Sequence, residues 1–143
     1  MRYSLLQKGA KRFRANLACF TAEALGAPTE KIIPFAAALE CVHAYSLIHD
    51  DLPIMDNDDL RRGEPTNHKV FGEAKALLAG DGLLTEAFSL IAQGYAVTPE
   101  TGLKLVASLS KAAGMFGMIS GQVRDLESND TPLEKIEELK LMH

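Results

Sequence analysis

No tryptophan occurs in this chain, only two cysteines do, and runs of β-branched residues are scarce. Cys19 and Cys41 form no metal or redox spacing, which excludes a zinc module or a dithiol oxidoreductase. As buried thiols they fit a reducing cytosol. Also absent is any uninterrupted apolar run of about 20 residues, so no membrane span is expected. Mixed polar and apolar residues follow Met1-Arg2-Tyr3, which does not read as a signal peptide, and a cytoplasmic location is expected. A net charge of −4 and the lack of a basic, aromatic-rich stretch argue against a nucleic-acid partner. Repeats, low-complexity tracts and linkers are missing too. At 143 residues the chain is one domain by length, and its short connections predict an all-α antiparallel helix bundle.

What is present is helical spacing. Apolar residues at 13, 17, 20 and 24 predict a first long helix ended by Gly26 and Pro28. Lys8, Lys11, Arg12 and Arg14 cluster at its start. Thr29 is the expected cap of a second helix running from about Lys31 to Leu52, apolar on nearly every face and hence largely buried. A third helix, Glu73 to Gln93, carries Leu77, Leu78, Leu84, Phe88 and Ile91 as its expected core stripe, interrupted by Gly80-Asp81-Gly82. Thr98 and Pro99 open a fourth, to about Met118. Thr131, Pro132 and Glu134 read as the capping box of a last one.

Chemistry concentrates in residues 43 to 68, HAYSLIHDDLPIMDNDDLRRGEPTNH. Five carboxylates (Asp50, Asp51, Asp56, Asp58 and Asp59) fall within ten residues and repel one another unless cations sit among them. Magnesium prefers such oxygen ligands, and typically bridges one or two carboxylates to a substrate phosphate. Arg61 and Arg62 follow, with fork-shaped donors suited to phosphate oxygens. On a regular helix Asp50 and Asp56 would lie about 120° apart. Pro53 breaks the regularity and allows Asp56 to return beside Asp50. His43, two turns before Asp50, shares its face. An EF-hand starting at Asp56 fails, since Leu60, Arg61 and Asn67 would stand at loop positions five, six and twelve. Glu40 and His43 form one Glu-x-x-His pair; a di-iron carboxylate bundle needs two, and no second copy exists, so a di-metal carboxylate helical protein is the weaker alternative reading.

The run Asp50-Asp51-Leu52-Pro53-Ile54-Met55-Asp56, then Leu60-Arg61-Arg62-Gly63, resembles the first aspartate-rich motif of the trans-isoprenyl diphosphate synthases, in its bacterial farnesyl diphosphate synthase form. The match extends through Pro65-Thr66-Asn67-His68 and Phe71-Gly72-Glu73-Ala74. The resemblance implies head-to-tail condensation of isopentenyl diphosphate with dimethylallyl or geranyl diphosphate, as in a geranyltranstransferase. It assigns Asp50, Asp51, Asp56 and Arg61 to catalysis, with magnesium (or manganese) on Asp50 and Asp56. Lys11, Arg14, His43, Arg61 and Arg62 would bind substrate. Lys11 and Arg14 match a Gly-Gly-Lys-Arg-x-Arg-Pro segment, from which the chain departs at Ala10, in place of the second glycine, and at Ala15, in place of the proline.

Tyr45 and Ser46, five and four residues before Asp50, stand where the resemblance places control of product length. Tyr45 lies about 7.5 Å below Asp50 along the helix axis. An aromatic residue there implies a fifteen-carbon product. Gln122 and Asp125 match a Gly-Gln-x-x-Asp pattern and would support the allylic pocket. Residues 1–143 are expected to form part of a synthase domain, without the N-terminal helices and without the second aspartate-rich motif. The chain alone is expected to be inactive, and full-length chains to form homodimers. The alternative is a non-catalytic subunit that binds prenyl diphosphate or completes a partner.

Overall fold

The computed structural model describes residues 1–96 and 98–130, with side chains described as far as Glu127. The expected capping box at Thr131, Pro132 and Glu134 lies outside the described residues. Helices dominate: α1 Arg2–Leu5, α2 Phe13–Ala24, α3 Thr29–Asp50, α4 Asn67–Phe71, α5 Glu73–Gly94, α6 Pro99–Ala113 and α7 Met118–Asp130. Between α3 and α4 sits a two-stranded hairpin, β1 Leu60–Arg61 and β2 Glu64–Pro65. The chain divides into two units, Met1–Gly102 and Leu103–His143. The first holds α1 to α5 and the start of α6. The second holds the rest of α6, in which Leu109 and Ala113 are buried, and then α7.

In the first unit α3 is central, with α1, α2 and α5 packed against it. By length and composition alone it is long and apolar enough to cross a membrane, a property that core helices of bundles share. Single polar residues such as Glu40 and His43 break the run without making the helix polar on average. Eight α3 residues, Glu40 among them, are buried. Thr29 is not the cap expected of it. Pro28, with extended backbone, holds that position, and Thr29 is the first helical residue.

Helices α3 and α5 run antiparallel in close contact, because α5 meets α3 with small residues. Ala76, Gly80, Leu83, Ala87 and Ile91 are its buried positions, at the three- and four-residue spacing of one helical face. A Cβ on Gly94 would stand 2.3 Å from Pro34 Cβ, and one on Gly80 would stand 2.0 Å from His49 Nε2. Gly80 therefore does not interrupt α5, as glycine in a helix suggested. Its bare Cα admits the His49 ring, whose Nε2 lies 3.0 Å from the Leu77 carbonyl oxygen and 3.8 Å from Asp81. The expected stripe was rotated accordingly. Ile91 is buried, but Leu77 and Leu78 face away from the seam and are exposed. On α2 the predicted apolar positions Phe13, Leu17 and Phe20 are exposed as well.

Gly80→Ala should test the seam. Alanine would favour the helix by about 1 kcal/mol, whereas overpacking costs about 1–3 kcal/mol. We expect a net loss of up to about 2 kcal/mol, read as a lower urea midpoint. A His49→Ala background should turn that loss into a gain. A stabilised single mutant would show that the ring yields freely.

Candidate functional site

The acidic stretch begins where α3 ends. Asp51 caps the helix, and the chain then folds back through turns in which the Asn57 N–H bonds the Leu52 carbonyl. The Asp56 N–H donates to the Asp50 carbonyl oxygen at 2.9 Å. Residues six apart in sequence are thus held side by side, as no regular helix could hold them. Asp50 is half-buried and Asp56 exposed.

Asp51 is placed differently. It is 3% exposed, and its Oδ1 accepts from Arg61 Nε at 2.7 Å and lies 2.6 Å from Nη2. Burial pushes the Asp51 carboxyl above its usual range, and the bond to Arg61 pulls the other way. The same bond raises the Arg61 guanidinium. Arg61 also reaches Asp58 at 3.4 Å through Nη2, which leaves Nη1 without a protein acceptor among the described residues. A guanidinium so fixed still has donors for a phosphate.

The hairpin explains how adjacent arginines serve different places. Leu60 pairs with Pro65 and Arg61 with Glu64, so the turn is Arg62-Gly63. Both turn residues have positive φ, 55° and 81°, as a two-residue hairpin of this kind requires. Arg61 looks toward Asp51. Arg62 lines a separate cavity of about 370 Å³ with Gly9, Lys11, Arg12, Phe13, Arg14, Glu40 and His43. Lys11, Arg14 and Arg62 form no ion pair among the described residues. Burial, then the neighbouring Arg14, lowers the His43 pKa below its ordinary value, so its imidazole is neutral at pH 7. A pocket with three such cations and a neutral donor suits a polyanion of diphosphate size.

Tyr45 is buried in α3 with its ring edge-on to His49, centroids 5.6 Å apart. Ser46 Oγ donates to the His43 carbonyl oxygen at 3.0 Å. Gln122 and Asp125 lie on α7, in the second unit. Sequence reasoning missed two things. One is the hairpin, whose only sign was Gly63. The other is the strap formed by α1 and the residues after it. Tyr3 donates to the Pro65 carbonyl oxygen at 2.7 Å, and Gln7 to that of Arg61 at 2.8 Å. Asn67 Nδ2 donates to Ser4 Oγ at 2.8 Å.

No cluster of three potential metal ligands occurs among the described residues. A backbone bond keeps the main chains of Asp50 and Asp56 adjacent, and carboxylates as a donor set fit magnesium, which completes its shell with water and phosphate oxygens.

Comparison with known proteins agrees in direction. A family model described as polyprenyl synthetase matches residues 1–143. The farnesyl diphosphate synthase of Geobacillus stearothermophilus is 53% identical over 145 residues, covering 100% of this chain and 48% of that protein. A chloroplastic geranylgeranyl pyrophosphate synthase 7 of Arabidopsis thaliana is 50% identical, over 96% of this chain and 41% of its own. Among solved structures, a geranyltransferase from Legionella pneumophila superposes with a TM-score of 0.95 at 39% identity, covering 99% of this chain and 50% of that one. The chain spans about half the length of the curated relatives it matches.

Proposed function

The chain belongs to the polyprenyl synthetase family, and on that premise we propose that the full-length protein joins isopentenyl diphosphate to dimethylallyl and geranyl diphosphate, giving farnesyl diphosphate. One observation carries the reading: two separate anion-gripping groups, one on each side of the Arg61-Arg62 peptide bond. The reaction has two diphosphate substrates.

Asp50 and Asp56 would hold magnesium, which when bound supplies Lewis-acid neutralisation of the departing diphosphate. Arg61, oriented by Asp51, offers its remaining donors to the same leaving group. Charge builds there as the carbon–oxygen bond of the allylic substrate breaks, so preorganised donors lower the barrier. Lys11, Arg14, Arg62 and neutral His43 fix the diphosphate of the other substrate, whose double bond then attacks the allylic carbon. The cation so formed loses a proton to the departed diphosphate, which leaves the new double bond of the product. Gln122 and Asp125 are proposed to support the allylic pocket. Cytoplasmic location and pairing as homodimers belong to the same proposal.

Incubating a full-length synthase carrying this sequence with labelled isopentenyl diphosphate and geranyl diphosphate should give an extractable fifteen-carbon alcohol after dephosphorylation. No extractable product would refute the reading. Tyr45, with Ser46 beside it, is proposed as the floor that stops growth, because a close-packed ring does not compress. Tyr45→Ala should therefore shift the product to twenty carbons or more. An unchanged chromatogram would place the floor elsewhere.

A further inference from the structure

A buried carboxylate in an anion pocket needs a reason. Glu40 lines the cavity that holds Lys11, Arg14 and Arg62, and it is 7% exposed. Left to itself, such a charge would repel a diphosphate. Its two oxygens are both engaged: Oε2 accepts from Arg12 Nη1 at 3.1 Å, and Oε1 from the Ala15 N–H at 3.3 Å. Ala15 stands in the first turn of α2, whose cap, Arg12, contributes no side-chain cap of its own. A carboxylate from α3 thus closes the N-terminus of α2, where an anion is favoured.

Arg12 is itself unusual. Its backbone is left-handed (φ 50°, ψ 36°), a conformation disfavoured for residues with a side chain. Two contacts hold it there, Nη1 to Glu40 and Nη2 to the Leu5 carbonyl oxygen. Left-handed backbone at Arg12 turns the chain between Lys11 and Arg14, both of which line the cavity. Ala15, in place of a proline, is what provides an N–H for Glu40.

We propose that Glu40 is a positioning residue: by clamping Arg12 and capping α2, it presents Lys11 and Arg14 to the diphosphate while keeping its own charge neutralised. This rests on the reading of the cavity as a diphosphate site.

Titration calorimetry of inorganic pyrophosphate into the 143-residue chain separates the roles. Charge alone predicts that Glu40→Gln, which removes a negative charge beside the anion, tightens binding. Positioning predicts that it weakens binding about tenfold. Arg12→Gly, which suits the left-handed backbone, should weaken it similarly. The double variant should fall no more than about twofold below either single one, because both break one clamp. Binding by Glu40→Gln that is unchanged or tighter, or losses that multiply in the double variant, would overturn the proposal. Absence of pyrophosphate binding by the unsubstituted chain would instead overturn the diphosphate reading. The clamp is then decided by amide hydrogen exchange without ligand. Glu40→Ala should speed exchange at Ala15 about tenfold or more. Unchanged exchange there overturns the clamp.

Discussion

In a full-length synthase carrying this sequence, Asp50→Ala and Asp56→Ala should each lower kcat about a thousandfold or more, while KM for either substrate moves by less than about tenfold. The asymmetry follows from when the charge appears. A bound diphosphate ester already carries negative charge, but the bridging oxygen gains its share only as the bond to carbon breaks. Groups that answer this change act on the transition state more than on the bound substrate. The bond from the Asp56 N–H to the Asp50 carbonyl oxygen keeps the two main chains adjacent, and two carboxylates proposed to share one ion act as one unit. Their effects should therefore not multiply, and the double variant should be little worse than either single one. Steady-state kinetics across magnesium concentrations reads the outcome. A single variant with near-normal kcat would remove that aspartate from the mechanism.

Arg61→Met should destabilise the chain by about 3 kcal/mol at pH 7, the low end for breaking a buried ion pair, because Arg61 retains some exposure. The larger part is the cost of leaving Asp51 charged and buried. Burial already raises the Asp51 pKa above its ordinary 3.8, and the bond to Arg61 opposes that rise. Without the arginine the folded value climbs further. A carboxyl raised in the folded state contributes stability that is complete below its unfolded pKa and is lost as pH rises through its folded one. The penalty in Arg61→Met should accordingly be small near pH 4 and full by neutrality. Urea unfolding of the two proteins at both ends of that range measures it. Equal penalties at both would show that packing, and not charge, is what Arg61 supplies. Adding Asp51→Asn to Arg61→Met should recover much of the loss at pH 7.

Most of the helical order was legible in the sequence because it depends on local periodicity and on glycine and proline stops. Helix α2 ends at Ala24, just before Gly26, and α6 begins at Pro99, as expected. The breaking effect of Pro53 was equally readable, and α3 ends three residues before it. What escaped notice depends on which helix meets which. The buried face of α5 is chosen by how closely α3 approaches, and alanine and glycine at 76, 80 and 87 permit an approach that leucines would forbid. Leu77 and Leu78 drew attention by size alone. Glu40 looked like half of a metal motif, since nothing in the sequence shows that α2 begins beside it. Asp51 looked like one carboxylate among five. Its burial under Arg61 requires the hairpin, and the hairpin requires left-handed backbone at an arginine.

That left-handed arginine has a consequence for how such a sequence can vary. Arg61 and Arg62 reach opposite places across a single Cα–Cα step of about 3.8 Å. The two grips therefore share one fixed ruler, and no drift in the surrounding loops can lengthen it. Inserting one residue between them would do more than separate the charges. It would reverse the side on which the second arginine emerges and empty one site while crowding the other. Exposed positions such as Leu60 and Glu64 are open to substitution, but the length of the hairpin between positions 60 and 65 is closed to insertion.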